Sequence, residues 1–468
     1  MPRFSPQLLA DWTAGKWLGT TPDKQITGFC QDTRKLKPGD CFVALETEQR
    51  DGHAFLASAR DAGATAALVS KPRDDINLPQ LYVGDSLGAF QTIACQHRHA
   101  FPGQVVGVTG SCGKTSTKDL IARLLGDECL KTEKNLNNTI GVPLTLTQLD
   151  AEKHRYAVVE AGINQPGEMS TLAAMISPDV SVVTMIGPAH LEKLGSQENI
   201  AREKAELVRL SAPGSSLLCS AGCLQYPAFH QFGGEIFSVC QACGEDSTLD
   251  YTEYHSCFRF FREGQGTRVQ VKSALFAGQF TIDSHLTKGM VSNAVLAVLT
   301  AILCGAKWET VKQRLQGWKP GADRGSIYLR GDDLFYVDCY NANPASMTDA
   351  LETFATLAPP DAPRLYVLGG MKELGEHAEA LHRKVGADVP LRAQDRAVLI
   401  GAEAEAYAEG LREAGASASQ VTVFDSSDVA QDAMGDFHGS IFVKGSRAYA
   451  LESLLPEGLM TRKETAAC

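Results

Sequence analysis

The pattern of apolar residues changes its period between residues 104 and 125. A valine-rich run at 105–108 is typical of a buried parallel strand, whereas the apolar residues at 120, 121, 124 and 125 recur at helical spacing. A glycine-rich turn separates the two segments. The sequence therefore predicts a strand, a tight loop and a helix in that order.

The residues before this segment show the pattern of a small α/β unit. Apolar runs at 39–45 and 65–69 predict strands, and residues 54–62 between them predict a helix. After the glycine-rich turn, strands are predicted at 156–160 and 180–186. Short strands then fill residues 215–287, and a helix follows at about 291–303.

The last part of the chain alternates strands with helical segments. Strands are predicted at 335–338, 364–370, 396–401, 421–425 and 440–445. Because each is followed by a helical pattern, they indicate a doubly wound, Rossmann-like sheet.

The length of 468 residues exceeds what one ordinary core organises and suggests about three domains. We therefore predict an α/β protein. Residues 1–103 form a small N-terminal α/β domain, 104–323 a central parallel-sheet domain of the P-loop ATPase type, and 324–468 a C-terminal doubly wound domain.

The loop between the predicted strand and helix has the sequence GSCGKT, residues 110–115. In such a loop, backbone N–H groups point towards one spot where a polyphosphate can sit. Lys114 would reach the β- and γ-phosphate oxygens and Thr115 would bind Mg²⁺. Val108 stands where the general motif has its first glycine. The alternative is a chance Gly-Lys-Thr in an ordinary turn, but the order of strand, loop and helix favours phosphate binding.

Two polar residues lie at or just after the ends of two predicted strands. Glu160 ends the run YAVVE, and His190 follows VSVVTMI. Because the carboxyl ends of parallel strands line one crevice, both should face the phosphate loop and are candidates for holding metal. The alternative for each is a hydrogen-bonded residue at a strand end. Lys204, in the helical pattern AREKAELVRL, would on that pattern alone be a solvated lysine.

Charge and composition limit the partners. The net charge of -11 argues against nucleic acid as the main partner, because neutralising phosphates needs a basic face. No apolar stretch approaches the roughly 20 residues of a membrane span. An odd number of cysteines, 13, fits reduced thiols better than a disulfide framework. We therefore expect a soluble, cytoplasmic protein.

Four of the cysteines have spacings that a structural zinc ion could use. Cys219 and Cys223 form a C-x3-C pair, and Cys240 and Cys243 form a C-x2-C pair. Cys219, however, ends an apolar strand-like run in which a buried thiol acts as a small hydrophobic group. Packing is the favoured interpretation.

Taken together, these motifs resemble those of the Mur ligases, a family of ATP-dependent amide-forming enzymes of peptidoglycan precursor synthesis. The general resemblance lies in TGSCGKTSTK (109–118), VVEAG (158–162), AHLEKLGSQENIAREKAEL (189–207), Asn293, Arg324 and VKGSR (443–447). Within the family, the chain resembles the members that join D-alanyl-D-alanine to UDP-N-acetylmuramoyl-tripeptide. That likeness lies in NLNNTIGVPLTL (135–146), YNANPASM (340–347) and MKELG (371–375).

The resemblance implies a mechanism and a set of site residues. ATP would phosphorylate the tripeptide carboxyl, and the dipeptide amine would displace phosphate. Lys114, Glu160, His190 and Lys204 would be catalytic. Two Mg²⁺ ions would be held by Thr115, Glu160, His190 and a carbamylated Lys204. ATP would bind Thr109, Gly110, Ser111, Cys112, Gly113, Lys114, Thr115, Ser116, Asn293, Arg324 and Asp338.

The resemblance also implies where the other two substrates bind. The uridine nucleotide would occupy the first domain. Thr33, Arg34, Asn137 and Asn138 would lie on its side of the site, whereas the incoming dipeptide would meet Tyr340, Asn341 and Asn343. The enzyme is expected to be a monomer.

Three other functions stay open at this point. The chain could be a ligase of the same family that adds the third peptide residue. It could also be a P-loop NTPase or kinase with a different substrate, which would need a water-positioning residue and no amine acceptor. A binding protein with a degenerate nucleotide site is disfavoured because Lys114, Thr115 and Glu160 are all present.

Overall fold

The computed structural model describes residues 2–242, 255–435, 437–456 and 459. Its strands form three large sheets from successive parts of the chain, and a two-stranded ribbon lies beside the first. Among the helices in these ranges, none is both long and apolar enough to cross a membrane.

The first sheet has five strands in the order β1-β7-β6-β3-β2. All its pairings are parallel except that of β1 with β7. Its elements are α1 (Pro6–Thr13), β1 (Lys16–Leu18), β2 (Gly28–Cys30), β3 (Asp40–Val43), β4 (Glu46–Thr47), β5 (Arg50–Asp51), α2 (Leu56–Asp61), β6 (Ala66–Val69), β7 (Gln80–Tyr82) and α3 (Ser86–Ala100).

The second sheet has nine strands in the order β16-β15-β14-β13-β12-β11-β8-β10-β9. Its elements are β8 (Gln104–Thr109), α4 (Lys114–Leu125), β9 (Cys129–Lys131), α5 (Gly141–Leu146), β10 (Tyr156–Glu160), α6 (Glu168–Ile176), β11 (Val180–Val183), α7 (Leu191–Leu194), α8 (Gln197–Arg209), β12 (Ser216–Ser220), β13 (Glu235–Gln241), β14 (His255–Glu263), β15 (Gly266–Lys272), β16 (Ala277–Ile282), α9 (Lys288–Leu303) and α10 (Trp308–Leu315).

β8, the third strand from one edge of the second sheet, leads into the phosphate loop. β8 pairs in parallel with β10 on one side and with β11 on the other, so the three strands end at the same edge. Behind them, α4 and α9 pack together and bury apolar side chains against the sheet. The short strands expected at 215–287 extend this same sheet, with β15 and β16 antiparallel.

The third sheet has six strands in the order β17-β18-β22-β19-β20-β21. The five strands from β18 to β21 are parallel, as the alternating pattern predicted, and β17 joins the edge antiparallel to β18. Its elements are β17 (Ser326–Arg330), β18 (Asp333–Asp338), α11 (Pro344–Leu357), β19 (Arg364–Gly369), α12 (Ala378–Asp388), β20 (Arg396–Ile400), α13 (Ala404–Glu413), β21 (Val421–Phe424) and β22 (Ser440–Lys444).

A cleft of about 1000 Å³ lies between the second and third sheets. One wall is made by the phosphate loop and the ends of β10 and β11, and the other by the segments that follow β18 and β19. α9 and α11 meet beside it, where the Gly289 N–H donates to an Asp349 carboxylate oxygen at 2.9 Å. Both sheets therefore contribute side chains to one site.

Candidate active site

The phosphate loop joins the end of β8 at Thr109 to the start of α4 at Lys114. Two of its glycines have positive φ angles, 147° at Gly110 and 81° at Gly113. A Cβ atom at Gly110 would lie 1.9 Å from the Thr184 hydroxyl, and one at Gly113 would lie 2.2 Å from the Asn293 amide nitrogen. Both positions therefore require glycine, for conformation and for space.

The segment after β11 holds the loop in shape. The Ser111 N–H donates to the Met185 carbonyl at 2.9 Å, and the Ser111 hydroxyl donates to the Gly187 carbonyl at 2.9 Å. The Lys114 ammonium folds back onto the Gly110 carbonyl at 2.8 Å. The lysine thus lies over its own loop, where it can meet phosphate oxygens.

Glu160, at the end of β10, is 1% exposed. Its Oε1 accepts hydrogen bonds from the Thr115 hydroxyl at 3.2 Å and from the Asn137 amide at 2.8 Å. Its Oε2 is buried and has no hydrogen-bond partner in the part of the chain that the structure describes. A buried carboxylate oxygen beside a threonine hydroxyl suits Mg²⁺, which prefers oxygen ligands.

His190 precedes α7 in a left-handed conformation, with φ of 57°. Its Nδ1 contacts the carboxylate of Glu373, which lies between β19 and α12 of the third sheet, and this contact lowers the pKa of Glu373 below its usual value. Because a carboxylate only accepts hydrogen bonds, Nδ1 is the donor and Nε2 is left for a further partner.

Lys204 lies on the buried face of α8 and is fully inaccessible to solvent. Its ammonium nitrogen has no hydrogen-bond partner among the described residues. Burial, with the nearby positive charge of Lys114, lowers its pKa well below the usual value. The solvated lysine expected from the helical pattern alone is therefore wrong, because apolar neighbours such as Ile200 and Val208 turn this face of the helix into the core.

The wall from the third sheet carries two tight pairs. The Arg324 guanidinium stacks on the Tyr340 ring, with 3.8 Å between the guanidinium carbon and the ring centre. Behind them, the buried Lys444 ammonium donates to Asp338 Oδ2 at 2.6 Å and to the Asn341 carbonyl at 3.1 Å. One oxygen of Asp338 is thus bonded to a lysine at the cleft wall.

The two asparagines of the YNANPASM run have different environments. Asn341 is exposed, and its side-chain oxygen accepts only from the next backbone N–H, that of Ala342, among the described residues. Asn343 caps α11 in a capping box with Ser346, and its amide reaches the Ser111 carbonyl at 3.5 Å. Asn341 is therefore open to a ligand, whereas Asn343 is engaged by its own helix and the phosphate loop.

The four residues predicted to bind the uridine-containing substrate do not lie together in the structure. Asn137 and Asn138 line the cleft, where Asn137 holds Glu160 and Asn138 accepts from the Gly141 N–H at 2.8 Å. Thr33 and Arg34 lie outside the cleft. Arg34 pairs with Asp32 at the surface and lowers the pKa of that carboxyl to about 2.

Most of the predicted site residues line the cleft, and a few lie beneath its surface. Thr109, Gly110 and Lys204 lie behind its surface. The cleft is lined by Ser111, Cys112, Gly113, Lys114, Thr115, Ser116, Asn137, Asn138, Glu160, His190, Asn293, Arg324, Asp338, Tyr340, Asn341 and Asn343.

Two further contacts at the cleft were not identified from the sequence. The Asp349 carboxylate accepts a hydrogen bond from the Gly289 N–H at the start of α9, and burial raises its pKa. Lys372 pairs with Glu403 at 3.2 Å and lies 4.7 Å from the centre of the Tyr449 ring. Each joins segments far apart in sequence, so no local pattern indicates it.

No three of these cysteines gather at one site within the residues that the structure describes. Cys219 and Cys223 are buried, whereas Cys240 is half-buried with its sulfur 3.3 Å from that of Cys257 on β14. Cys243 lies outside the described residues. Within those residues, no three His, Cys, Asp or Glu side chains gather into a metal site, so Mg²⁺ at Glu160 would also need hydroxyl and phosphate oxygens.

Two family models match the chain. Residues 108–301 match the Mur ligase middle domain, and residues 324–447 match the Mur ligase glutamate ligase domain. The UDP-N-acetylmuramoyl-tripeptide–D-alanyl-D-alanine ligase of Escherichia coli K12 is 33% identical over 92% of this chain and 94% of its own length.

Solved structures show the same likeness. A crystal structure of MurF from Acinetobacter baumannii superposes with a TM-score of 0.84 at 27% identity, over 97% of this chain and 98% of that one. MurF from Thermotoga maritima, solved with ADP, gives a TM-score of 0.77 at 24% identity, over 92% and 96%, and supports the fold. The chain belongs to the Mur ligase family, among the relatives named UDP-N-acetylmuramoyl-tripeptide–D-alanyl-D-alanine ligases.

Proposed function

We propose that this chain is an ATP-dependent ligase that joins D-alanyl-D-alanine to the tripeptide carboxyl of UDP-N-acetylmuramoyl-tripeptide. The observation that carries the proposal is the single cleft that combines a phosphate loop, a buried carboxylate at Glu160 and a facing wall from the third sheet. The family and the names of the relatives support the choice of substrates.

The residues of the cleft fit transfer of the ATP γ-phosphoryl group to a carboxylate. A carboxylate is a poor electrophile, and phosphorylation gives it a good leaving group. The N–H groups of loop 110–115 and the Lys114 ammonium would stabilise the charge that develops on the phosphate oxygens. The dipeptide amine would then attack the acyl phosphate, form the amide bond and release phosphate.

The metal site is proposed at Thr115, Glu160 and His190. Glu160 Oε2 and the Thr115 hydroxyl would supply oxygen atoms, and His190 would supply Nε2, since its Nδ1 is taken by Glu373. Mg²⁺ bound there would neutralise phosphate charge and orient the reacting groups. Asn137 keeps the Glu160 carboxylate fixed through its 2.8 Å hydrogen bond.

Lys204 is proposed to be carbamylated and to help position a second Mg²⁺. Its amine is buried and has no hydrogen-bond partner among the residues that the structure describes, and its lowered pKa favours the neutral form that reacts with carbon dioxide. In that reaction the nitrogen bonds to the carbon of CO₂ and loses a proton, which leaves a carbamate anion. The product offers the oxygen atoms that an ammonium lacks.

We also propose roles for the three parts of the chain. Residues 1–103 would bind the uridine nucleotide through Thr33 and Arg34, which lie outside the cleft, and Asn137 and Asn138 would meet the part of the UDP-substrate that enters it. Residues 104–323 would bind ATP. Residues 324–468 would bring Tyr340 and Asn341 to the dipeptide, with Asn343 holding their segment at the start of α11 beside the phosphate loop. Asn293, Arg324 and Asp338 would complete the nucleotide site. Because ATP and uridine nucleotides are cytoplasmic compounds, the protein would work in the cytoplasm. We propose that it works as a monomer.

A dropout experiment separates this function from the alternatives. Product mass and phosphate release would be measured with ATP, the UDP-tripeptide and D-alanyl-D-alanine, and then with each left out. The proposal predicts product only in the complete mixture. A third-residue-adding ligase would instead use the UDP-dipeptide with a free amino acid, and an NTPase or kinase would not need the amine.

A further inference from the structure

We propose that Glu373 is a positioning residue that fixes the His190 ring only when the third-sheet domain has closed on the second. Formation of the metal site would then depend on domain closure. This inference rests on the proposed function, because it assigns Glu373 a part in preparing the same site.

The MKELG segment, residues 371–375, docks on α7 and the residue before it through two polar contacts and one close backbone approach. The Glu373 carboxylate contacts His190 Nδ1, and the Glu373 carbonyl accepts from the Glu192 N–H at 3.1 Å. A Cβ atom on Gly375 would lie only 2.8 Å from the Glu192 Cα. Backbone and side chain therefore both hold the segment against the helix that follows His190.

Both partners of the central contact have left-handed backbone conformations. φ is 57° at His190 and 67° at Glu373, although neither residue is glycine. This conformation costs free energy for residues with a Cβ atom and persists where surrounding contacts impose it. Two residues in this costly conformation thus meet at the junction between the second and third sheets.

The base of the segment is anchored firmly in its own domain. The Met371 N–H donates to Nε2 of the fully buried His382 at 2.8 Å, and the His382 Nδ1 donates to the Ala378 carbonyl at 2.6 Å. The Ser446 N–H donates to the Gly370 carbonyl at 3.1 Å. Glu373 would therefore move with the third sheet rather than stay with α7 if the cleft opened.

The contact orients the imidazole ring. Because Nδ1–H donates to the Glu373 carboxylate, rotation of the ring is restrained, and in the neutral ring the lone pair that could bind a metal lies on Nε2. Opening of the cleft would remove the carboxylate and free the ring. The site would thus be complete only when the third domain covers it, which limits wasteful attack of water on activated intermediates.

Two variants and a matched control test the proposal. Glu373→Ala removes the contact, and Glu373→Gln removes its charge. Glu376→Ala changes a neighbouring carboxylate that is 90% exposed. We expect the Glu373 variants to bind Mg²⁺ roughly 10- to 100-fold more weakly in calorimetry with a non-hydrolysable ATP analogue, and to lose kcat by a similar factor. KM for ATP should change less than about two-fold. Glu376→Ala should match the wild-type protein.

A double-mutant cycle and a scattering measurement decide between positioning and a merely structural role. Adding Glu373→Ala to His190→Ala should cost little more than His190→Ala alone, because both remove one interaction. With analogue and Mg²⁺, Glu373→Ala should scatter as a more expanded particle than the wild type. Additive losses, unchanged Mg²⁺ affinity, or equal particle sizes would each overturn the inference. Failure of the wild-type protein to ligate would instead overturn the proposed function, since the calorimetry needs no turnover.

Discussion

The Thr115 hydroxyl donates a hydrogen bond to Glu160 Oε1 across 3.2 Å. Thr115 is the second residue of α4, and Glu160 ends β10, which is paired with the strand that leads into the phosphate loop. This bond leaves the second carboxylate oxygen of Glu160 buried and unbonded within the described residues. The loop and the strand end thus form one prepared oxygen site.

Replacing Glu160 by glutamine should preserve the fold and remove most of the activity. The amide keeps the size of the side chain but carries no charge to hold Mg²⁺. We expect a loss of about 3 kcal/mol of transition-state stabilisation, or roughly 100-fold in kcat. The exposed Glu152, in the turn before β10, provides the control Glu152→Gln. Wild-type turnover in Glu160→Gln would contradict the metal assignment.

Lys204 should be carbamylated in the active protein. After incubation with ¹³C-bicarbonate, a carbamate signal is expected in the wild type and absent in Lys204→Ala. Lys118, also buried, donates to the Thr132 carbonyl at 2.7 Å, and Lys118→Arg should keep the signal.

Activity gives a second measurement on the same lysine. Lys204→Ala should lose ligation that bicarbonate does not restore, whereas a short carboxylic acid should restore part of it by filling the space of the carbamate. An active wild-type protein with no ¹³C signal would rule the modification out.

Substitutions of the two asparagines of the YNANPASM run should have different effects, one on binding of the dipeptide and the other on stability. Asn341→Ala should raise KM for D-alanyl-D-alanine roughly 5- to 150-fold and leave that for ATP nearly unchanged, because a lost hydrogen bond in a closed site costs about 1–3 kcal/mol. Asn343→Ala should instead lower the free energy of unfolding by about 1 kcal/mol through loss of the α11 cap. An unchanged dipeptide KM and kcat in Asn341→Ala would move the acceptor site elsewhere.

Asp338 should prove important for stability even without nucleotide. Asp338→Ala leaves the Lys444 ammonium buried without its carboxylate, which typically costs 3–5 kcal/mol. Thermal unfolding of the nucleotide-free protein should show a clear fall in Tm. Arg324→Ala is the comparison, since its guanidinium stacks on a partly exposed ring and should affect ATP binding more than Tm. Equal Tm values for the two variants would contradict this division.

The sequence predicted those features that depend on local order along the chain. The phosphate loop and His190 follow strand ends, and Glu160 is itself the last residue of a strand. Parallel strands bring their carboxyl ends to one edge, so position alone indicates the crevice. The alternating strands of the third sheet were predicted for the same reason.

Other features depend on packing between distant segments. The burial of Lys204 requires the core packed on α8, and the Glu373–His190 contact requires the second and third sheets to meet. The link between Asn137 and Glu160 likewise joins a loop to a strand end. Periodicity in one segment carries no information about such partners, which explains why these contacts emerged only from the structure.

Phosphate release measured together with product mass tests the central assignment most directly. With ATP, UDP-N-acetylmuramoyl-tripeptide and D-alanyl-D-alanine, we expect one phosphate for each UDP-pentapeptide formed, and only slow phosphate release when the dipeptide is omitted, because the closed cleft excludes water. Rapid phosphate release from ATP alone, with no change on adding the two substrates and no pentapeptide, would contradict the assignment and identify an NTPase.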